Sequence, residues 1–186
     1  FCTAVLADLG AEVIKLEPPQ GDDYRHIGPF VQGCSALFTL MNRGKQSIVL
    51  DLKDADAQAT ARAIALHCDV VVENFKVGAL AKYGLGYEQL AKTHPRLIYC
   101  SITGFGQTGP YAPRPGYDAL IQAMGGVMSL TGEPNGSPQK VGVPVADLFA
   151  GLYGCIGILA AVNHRNSTGQ GQQIDIGMLD THVAWL

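Results

Sequence analysis

The sequence predicts an α/β domain built on a mostly parallel sheet with flanking helices. Two observations carry this reading: short apolar runs such as DVVVE and LIYCSI are bounded by turn residues, and between them lie longer stretches with helical periodicity. Thr3 to Leu9 reads as the end of a helix stopped by Gly10, and Glu12–Glu17 (EVIKLE) as a strand ended by Pro18 and Pro19. The polar segment from Gln20 to Gly33 reads as a surface loop. Ser47–Leu52 is predicted as a second strand, Ala55–His67 as an alanine-rich helix, and Asp69–Glu73 as a buried strand. Tyr87–Lys92 reads as a short helix and Leu97–Ile102 as another buried strand. A glycine- and proline-rich region follows from Thr103 to Gly116, then a helix over Tyr117–Met128 and a loop over Thr131–Pro144. A long apolar helix, a turn at Ser167–Gly171, a strand over Gln173–Gly177 and a terminal helix complete the chain. Both long loops precede the apolar helix, and structureless loops longer than about 12 residues are often functional.

Composition narrows the function classes. The 186 residues are 47% hydrophobic and only 16% charged, an apolar balance that predicts surface covered by further chain or by another subunit. A net charge of -3 with scattered Lys and Arg offers no footprint for nucleic acid. Cys2, Cys34, Cys68, Cys100 and Cys155 form no C-x-x-C pair and read as buried free thiols of a reducing, cytoplasmic setting. The histidines (26, 67, 94, 164 and 182) show no metal-ligand spacing. Without a basic signal region at its start, and ending inside an apolar helical run, the chain reads as an internal piece of a longer protein. The stretch from Val141 to Val162 is long enough to span a bilayer, but Asp147, Pro144 and its glycines favour a buried helix of a protein outside the membrane.

Asp147 is the only charged side chain in that stretch, VGVPVADLFAGLYGCIGILAAV. Pro144 bars a helix through its start, so Asp147 falls at or beside a helix N-terminus, where free N–H groups and the dipole favour an anion. Two readings stand together: an N-cap aspartate, or a nucleophilic carboxylate kept ionised by the helix end and screened by apolar flanks. Gly151, Gly154 and Gly157 form a smooth stripe on the same helix, which suits close backbone packing.

Gly104, Gly106 and Gly109 fit G-x-G-x-x-G, yet Pro110, Pro113 and Pro115 follow within six residues and cannot propagate the helix that a dinucleotide site needs. A structured loop is the better reading. Glu73-Asn74-Phe75 ends a predicted strand, where ligands of open α/β sheets collect. An Asn amide and an exposed Phe there suit a planar heteroaromatic group, and equally suit a turn with a core Phe. Leu50 to Lys53 ends another strand, where Lys53 is either a phosphate contact or a solvated lysine. Lys82 and Arg114 are further candidate cations.

Taken in order, LADLGAEVIKLEPPQGDDYR, NRGKQSIVLDLK, VVENFKVGALAKYGLGYEQL, SITGFGQTGP, RPGYDA, ADLFAGLYGCIGILAAV and TGQGQQIDIGMLD resemble the family III CoA-transferases along essentially the whole chain. The resemblance implies a Rossmann-like CoA-binding domain over 1–186, incomplete because the family's first strand and its C-terminal half are absent. It implies Asp147 as the catalytic nucleophile. It also implies CoA contacts at Leu50, Lys53, Asn74, Phe75, Lys82 and Tyr117, with the acyl-CoA acting as substrate and no tightly bound cofactor. Two basic positions of the family are Pro18 and Pro115 here, with Arg25 and Arg114 as possible substitutes. An interlocked homodimer and a small carboxylic acid acceptor, such as a dicarboxylate, are implied as well. A racemase branch of the same fold has histidine where this chain has Tyr117, which favours transfer; racemisation and non-catalytic CoA binding are the alternatives.

Overall fold

The structure, a computed structural model, describes residues 1–186, and all its main strands pair in parallel. Helix α1 (Cys2–Asp8) leads into β1 (Val13–Glu17), which pairs only with β4 (Lys45–Val49), in a register running from Val13–Lys45 to Glu17–Val49. A second sheet holds β5 (Val70–Glu73), β6 (Ile98–Thr103) and β7 (Gln173–Gly177) in that order, all parallel. The expected parallel sheet is thus present as two sheets, and the edges of β1 and β5 that lack a strand partner line one cavity.

The helices follow from local chemistry. Asp54 accepts from the Asp56 N–H and starts α3 (Ala55–His67) at the residue predicted. Helices α4 (Tyr87–Ala91) and α5 (Asp118–Gly125) are short, and α5 stops at Gly126, which takes a left-handed φ of 98°. The single helix predicted to Met128 therefore ends three residues early, because glycine tolerates that turn. Helix α6 (Val145–Thr168) runs 24 residues and α7 (Met178–Val183) follows β7 directly. By length and composition α6 could cross a membrane, with 39% of its most apolar window buried.

The glycine stripe on α6 works as packing. A Cβ on Gly151 would meet the Cys2 backbone at 3.1 Å, one on Gly154 the Ile102 side chain at 3.1 Å, and one on Gly157 the Ile174 side chain at 3.1 Å. The main core joins these surfaces through Cys2, Ile98, Cys100, Ile158 and Ile176. The 104–116 region is a structured loop, closed where a Cβ on Gly104 would fall 2.5 Å from the Gly116 Cα. No helix opens after its third glycine.

Three readings need correction. The second strand lies at 45–49, with Leu50 to Lys53 beyond its end, because Asp51 turns the chain by accepting from the Lys53 N–H. The region from Gln20 to Gly33 is more than a surface loop: it holds a 3-10 turn (Asp23–His26) and β2 (Phe30–Val31), which pairs antiparallel with β3 (Cys34–Ser35) ahead of α2 (Ala36–Asn42). The cysteines are not all buried, since Cys34 is exposed and Cys68 half-buried, while Cys2, Cys100 and Cys155 are buried.

The 20–27 segment is tied down by Glu17, a side chain only 2% exposed at the end of β1. Arg25 donates through Nε and Nη2 to its two oxygens at 2.8 Å each, Ser47 donates at 2.7 Å and the Asp22 N–H at 3.0 Å. Arg25 also lies 3.9 Å over the Phe38 ring. These partners, Arg25 foremost, hold the Glu17 carboxyl down at about 2. Its stabilising effect is therefore complete above the ordinary carboxylate range and is lost as pH falls toward about 2. Glu17→Gln should cost about 2 kcal/mol at neutral pH, because half-exposed Arg25 can rehydrate. Thermal melts should show that deficit shrinking below about pH 4.5, where the wild-type advantage is itself titrated away.

Candidate active site

The carboxyl ends of the parallel strands open on a cavity of about 1140 Å³, above the common range of ~300–1,000 Å³ for ligand pockets. Each strand end delivers residues to its wall: Glu17 and Pro18 at the end of β1, Leu50 to Lys53 after β4, Glu73 to Lys76 at the end of β5, and Thr103 and Gly104 at the end of β6. Met178 follows β7, and the entry to α6 contributes Pro144, Asp147 and Leu148.

Asp147 is the third residue of α6, inside the first turn. It is therefore not the N-cap; that position is Pro144, which has no side chain to cap with. Asp118, the first residue of α5, does the capping from outside by accepting from the Ala146 N–H at 3.0 Å. Leu148 N–H bonds to Pro144 O and Val145 N–H to Val143 O, which leaves the Asp147 N–H as the first-turn amide without an acceptor.

No hydrogen bond stabilises the Asp147 carboxylate. The residue is exposed to the cavity and not screened by its apolar flanks as expected, yet the cavity walls still remove enough hydration to raise its pKa from 3.8 to about 6. The Asp118 charge pushes the same way. Tyr24, held on the cavity wall by the Glu17–Arg25 anchor, feels the Asp147 charge in turn: its phenol is raised first by burial, then by Asp147 and Asp22. A carboxylate with raised pKa, at the strand ends and without a cation to neutralise it, is the profile of a reactive group.

Most of the sequence-predicted contacts meet here. Leu50, Lys53, Asn74, Phe75, Arg114 and Tyr117 all line the cavity with Asp147. Phe75 is 54% and Tyr117 76% exposed, so Phe75 is no core residue. Asn74 donates to the Ile102 carbonyl, which fixes the turn, and Glu73 accepts from the Phe75 N–H at 2.7 Å. The Arg114 guanidinium lies 4.4 Å over the Tyr111 ring. The structure does not bring Lys82 to the cavity: Leu80 and Tyr83 of the same 3-10 turn face it and Lys82 is exposed elsewhere. Arg25 is committed to Glu17 and is no substitute for a phosphate contact.

Sequence reasoning missed Lys76, a cavity-wall cation two residues beyond Asn74, and Thr103, a buried residue whose hydroxyl has no partner at the end of β6. It missed Tyr24 and the capping role of Asp118 as well. Lys76 was findable, since it follows the Asn74-Phe75 turn directly; the Asp118 contact joins residues 28 apart and left no local signal.

The chain matches CoA-transferase family III over residues 1–186. It is 53% identical to a succinate–glutarate CoA-transferase of Agrobacterium fabrum, over 98% of this chain and 48% of that protein. It is 48% identical to an acetyl-CoA:oxalate CoA-transferase of Acetobacter aceti, over 100% of this chain and 48% of that protein. Among solved structures, a CAIB/BAIF family protein from Brucella suis superposes with a TM-score of 0.95 at 52% identity, over 98% of this chain and 50% of that one. The chain spans about half the length of the relatives it matches.

Because the folded state holds the Asp147 proton more tightly than an unfolded chain, ionising it costs stability as pH rises from about 4 through about 6. Asp147→Asn in the full-length protein should therefore raise the melting temperature at pH 7.5 by about 2 °C, a figure discounted for the solvent that reaches the site. Melts at pH 3.5 should show the two proteins alike.

Proposed function

We propose that this chain, which belongs to CoA-transferase family III, forms the thioester-binding mouth and carries the nucleophile of an enzyme that moves CoA from an acyl-CoA donor to a carboxylic acid. The observation that carries this reading is Asp147: an unpartnered carboxylate with its pKa lifted to about 6, on a cavity wall shared with Lys53, Lys76, Arg114 and the exposed Phe75 ring.

In the proposed cycle the Asp147 carboxylate attacks the thioester carbonyl of the donor. The C–S bond breaks, CoA leaves as thiolate, and an aspartyl–acyl anhydride remains. The thiolate then attacks the aspartyl carbonyl, forming an aspartyl-CoA thioester and releasing the donor as its carboxylate, which takes the bridging oxygen. An acceptor carboxylate attacks the aspartyl-CoA carbonyl, giving a second anhydride and thiolate. Thiolate attack on the acceptor carbonyl releases the new acyl-CoA and restores the Asp147 carboxylate. Every step exchanges one acyl bond for another, so the protein's task is to lower barriers and exclude water. The free Asp147 N–H and the positive end of α6 are suited to oxyanion stabilisation, where one donor is worth about 3 kcal/mol.

The nucleotide end of CoA is assigned to Phe75 and Asn74 for the base, and to Lys53, Lys76 and Arg114 for the phosphates. None of these three cations is held in a salt bridge. The inner part of the cavity, between β1 and β5, is assigned to chain outside 1–186: a further strand there would give the order β4-β1-new-β5-β6-β7, the doubly wound pattern 3-2-1-4-5-6. Ile14 and Leu16 of β1, 40% and 37% exposed on that wall, are the side chains such a strand would cover. Exposed Leu130, Ile156 and Trp185 fit the reading that the rest of the protein and a second, interlocked subunit cover this domain. The relatives' names support a small dicarboxylate as donor or acceptor acid. We place the enzyme in the cytoplasm, where its free thiols would stay reduced, and assign it no tightly bound cofactor.

Two experiments on the full-length protein test this. Mass spectrometry after incubation with succinyl-CoA should find CoA attached through Asp147, and Asp147→Asn should lose the adduct and at least about 1,000-fold in transfer. Retention of a tenth of the wild-type rate would remove Asp147 as nucleophile. Lys53→Ala and Arg114→Ala should raise KM for succinyl-CoA about fivefold with kcat nearly unchanged, while Lys82→Ala should leave both alone. An unchanged KM in the first two would take those cations out of the site.

A further inference from the structure

We propose that Asp118 and Gln122, one turn apart on α5, form a clamp that sets the position of the reactive carboxylate at the start of α6, with Asp118 acting as the positioning residue for Asp147. This rests on the reading of Asp147 as nucleophile.

Pro144 cannot cap α6, so the grip on the helix start must come from another element. Both clamp residues reach the segment that leads into it. Asp118 Oδ1 accepts from the Ala146 N–H at 3.0 Å, and its Oδ2 accepts from Gln122 Nε2 at 2.7 Å. Gln122 is fully buried; its Oε1 accepts from the Val141 N–H at 2.9 Å and its Nε2 also approaches the Val143 carbonyl at 3.4 Å. Residues 141, 143 and 146 are thus held from one face of α5, and Asp147 is the next residue along. A buried amide with both ends engaged is rigid, because any shift would leave a polar group unsatisfied.

The clamp is also electrostatic. The Asp118 carboxylate stands beside Asp147, and the cation that pairs with it is Lys140, with Nζ at 3.9 Å and half exposed. Tyr24 of the 3-10 turn is the other titratable group that senses the Asp147 charge. A neighbouring anion disfavours the ionised state of Asp147, which makes the carboxylate more basic and more readily acylated. One side chain therefore fixes where the nucleophile stands and raises its basicity.

The test uses the full-length enzyme with succinyl-CoA and glutarate as probes. Asp118→Ala should lower kcat by about 30-fold through lost positioning, with KM for succinyl-CoA within about twofold. Asp118→Asn keeps an oxygen for the Ala146 N–H and removes the charge, but its Nδ2 meets Gln122 Nε2 donor to donor, so the Gln122 bond is lost as well. It should fold, keep more of kcat at pH 8 than Asp118→Ala, and move the acidic limb of the kcat–pH profile below its wild-type midpoint. Gln122→Leu should lower kcat without moving that limb. An Asp118→Ala enzyme within about threefold of wild-type kcat, or an Asp118→Asn profile with an unmoved limb, overturns the proposal; if Asp118→Ala fails to fold, the Asp118→Asn profile decides alone. An inactive Asp147→Asn beside normal Asp118 variants removes the clamp only, whereas an active Asp147→Asn removes the nucleophile and the clamp together.

Discussion

A carboxylate inside the first turn of a long apolar helix is subject to opposing demands, and the arrangement around Asp147 follows from them. The helix end favours its charge, while the cavity walls and Asp118 disfavour it enough to lift its pKa to about 6. A cation in contact would settle the conflict and also deactivate the group, and none is placed there. The N–H that a capping aspartate would normally satisfy is instead satisfied by Asp118 from α5, which leaves the Asp147 side chain without a structural hydrogen bond.

The remaining structure serves that placement. The glycine stripe of α6 lets the helix lie close on α1, β6 and β7, so its N-terminus is carried to the carboxyl ends of the strands. The close pass of Gly104 against Gly116 folds the preceding loop so that Arg114 and Tyr117 reach the same cavity. Glu17 anchors the 20–27 segment through Arg25, Ser47 and the Asp22 amide, and thereby builds the wall that carries Tyr24. The raised pKa of Asp147 is a local cost in stability at the residue proposed to carry the chemistry.

Much of this was legible in the residues because the signals were local. Asp54 announces α3 at the correct residue, the DVVVE and LIYCSI runs are strands, and three prolines rule out a dinucleotide helix after Gly109. The catalytic candidate stood out as a lone charge in an apolar stretch, and six of the seven suggested binding residues line its cavity. What sequence alone could not show depends on contacts between distant residues. The cap on α6 comes from 28 positions upstream, Arg25 is consumed by Glu17, and Lys82 turns away because of the phase of one 3-10 turn. The polar composition of 20–33 concealed an anchored segment, since its order comes from a buried glutamate outside it.

The central claim, that Asp147 is acylated in every turnover, has a direct isotopic test. If the full-length enzyme turns over glutarate labelled with oxygen-18 in its carboxylates, the second anhydride collapses by thiolate attack on the glutaryl carbonyl, and the bridging oxygen stays on the aspartate. Mass analysis of the peptide that contains Asp147 should then find oxygen-18 in that side chain after turnover in unlabelled water. Turnover that leaves the Asp147 carboxylate free of label would contradict the account.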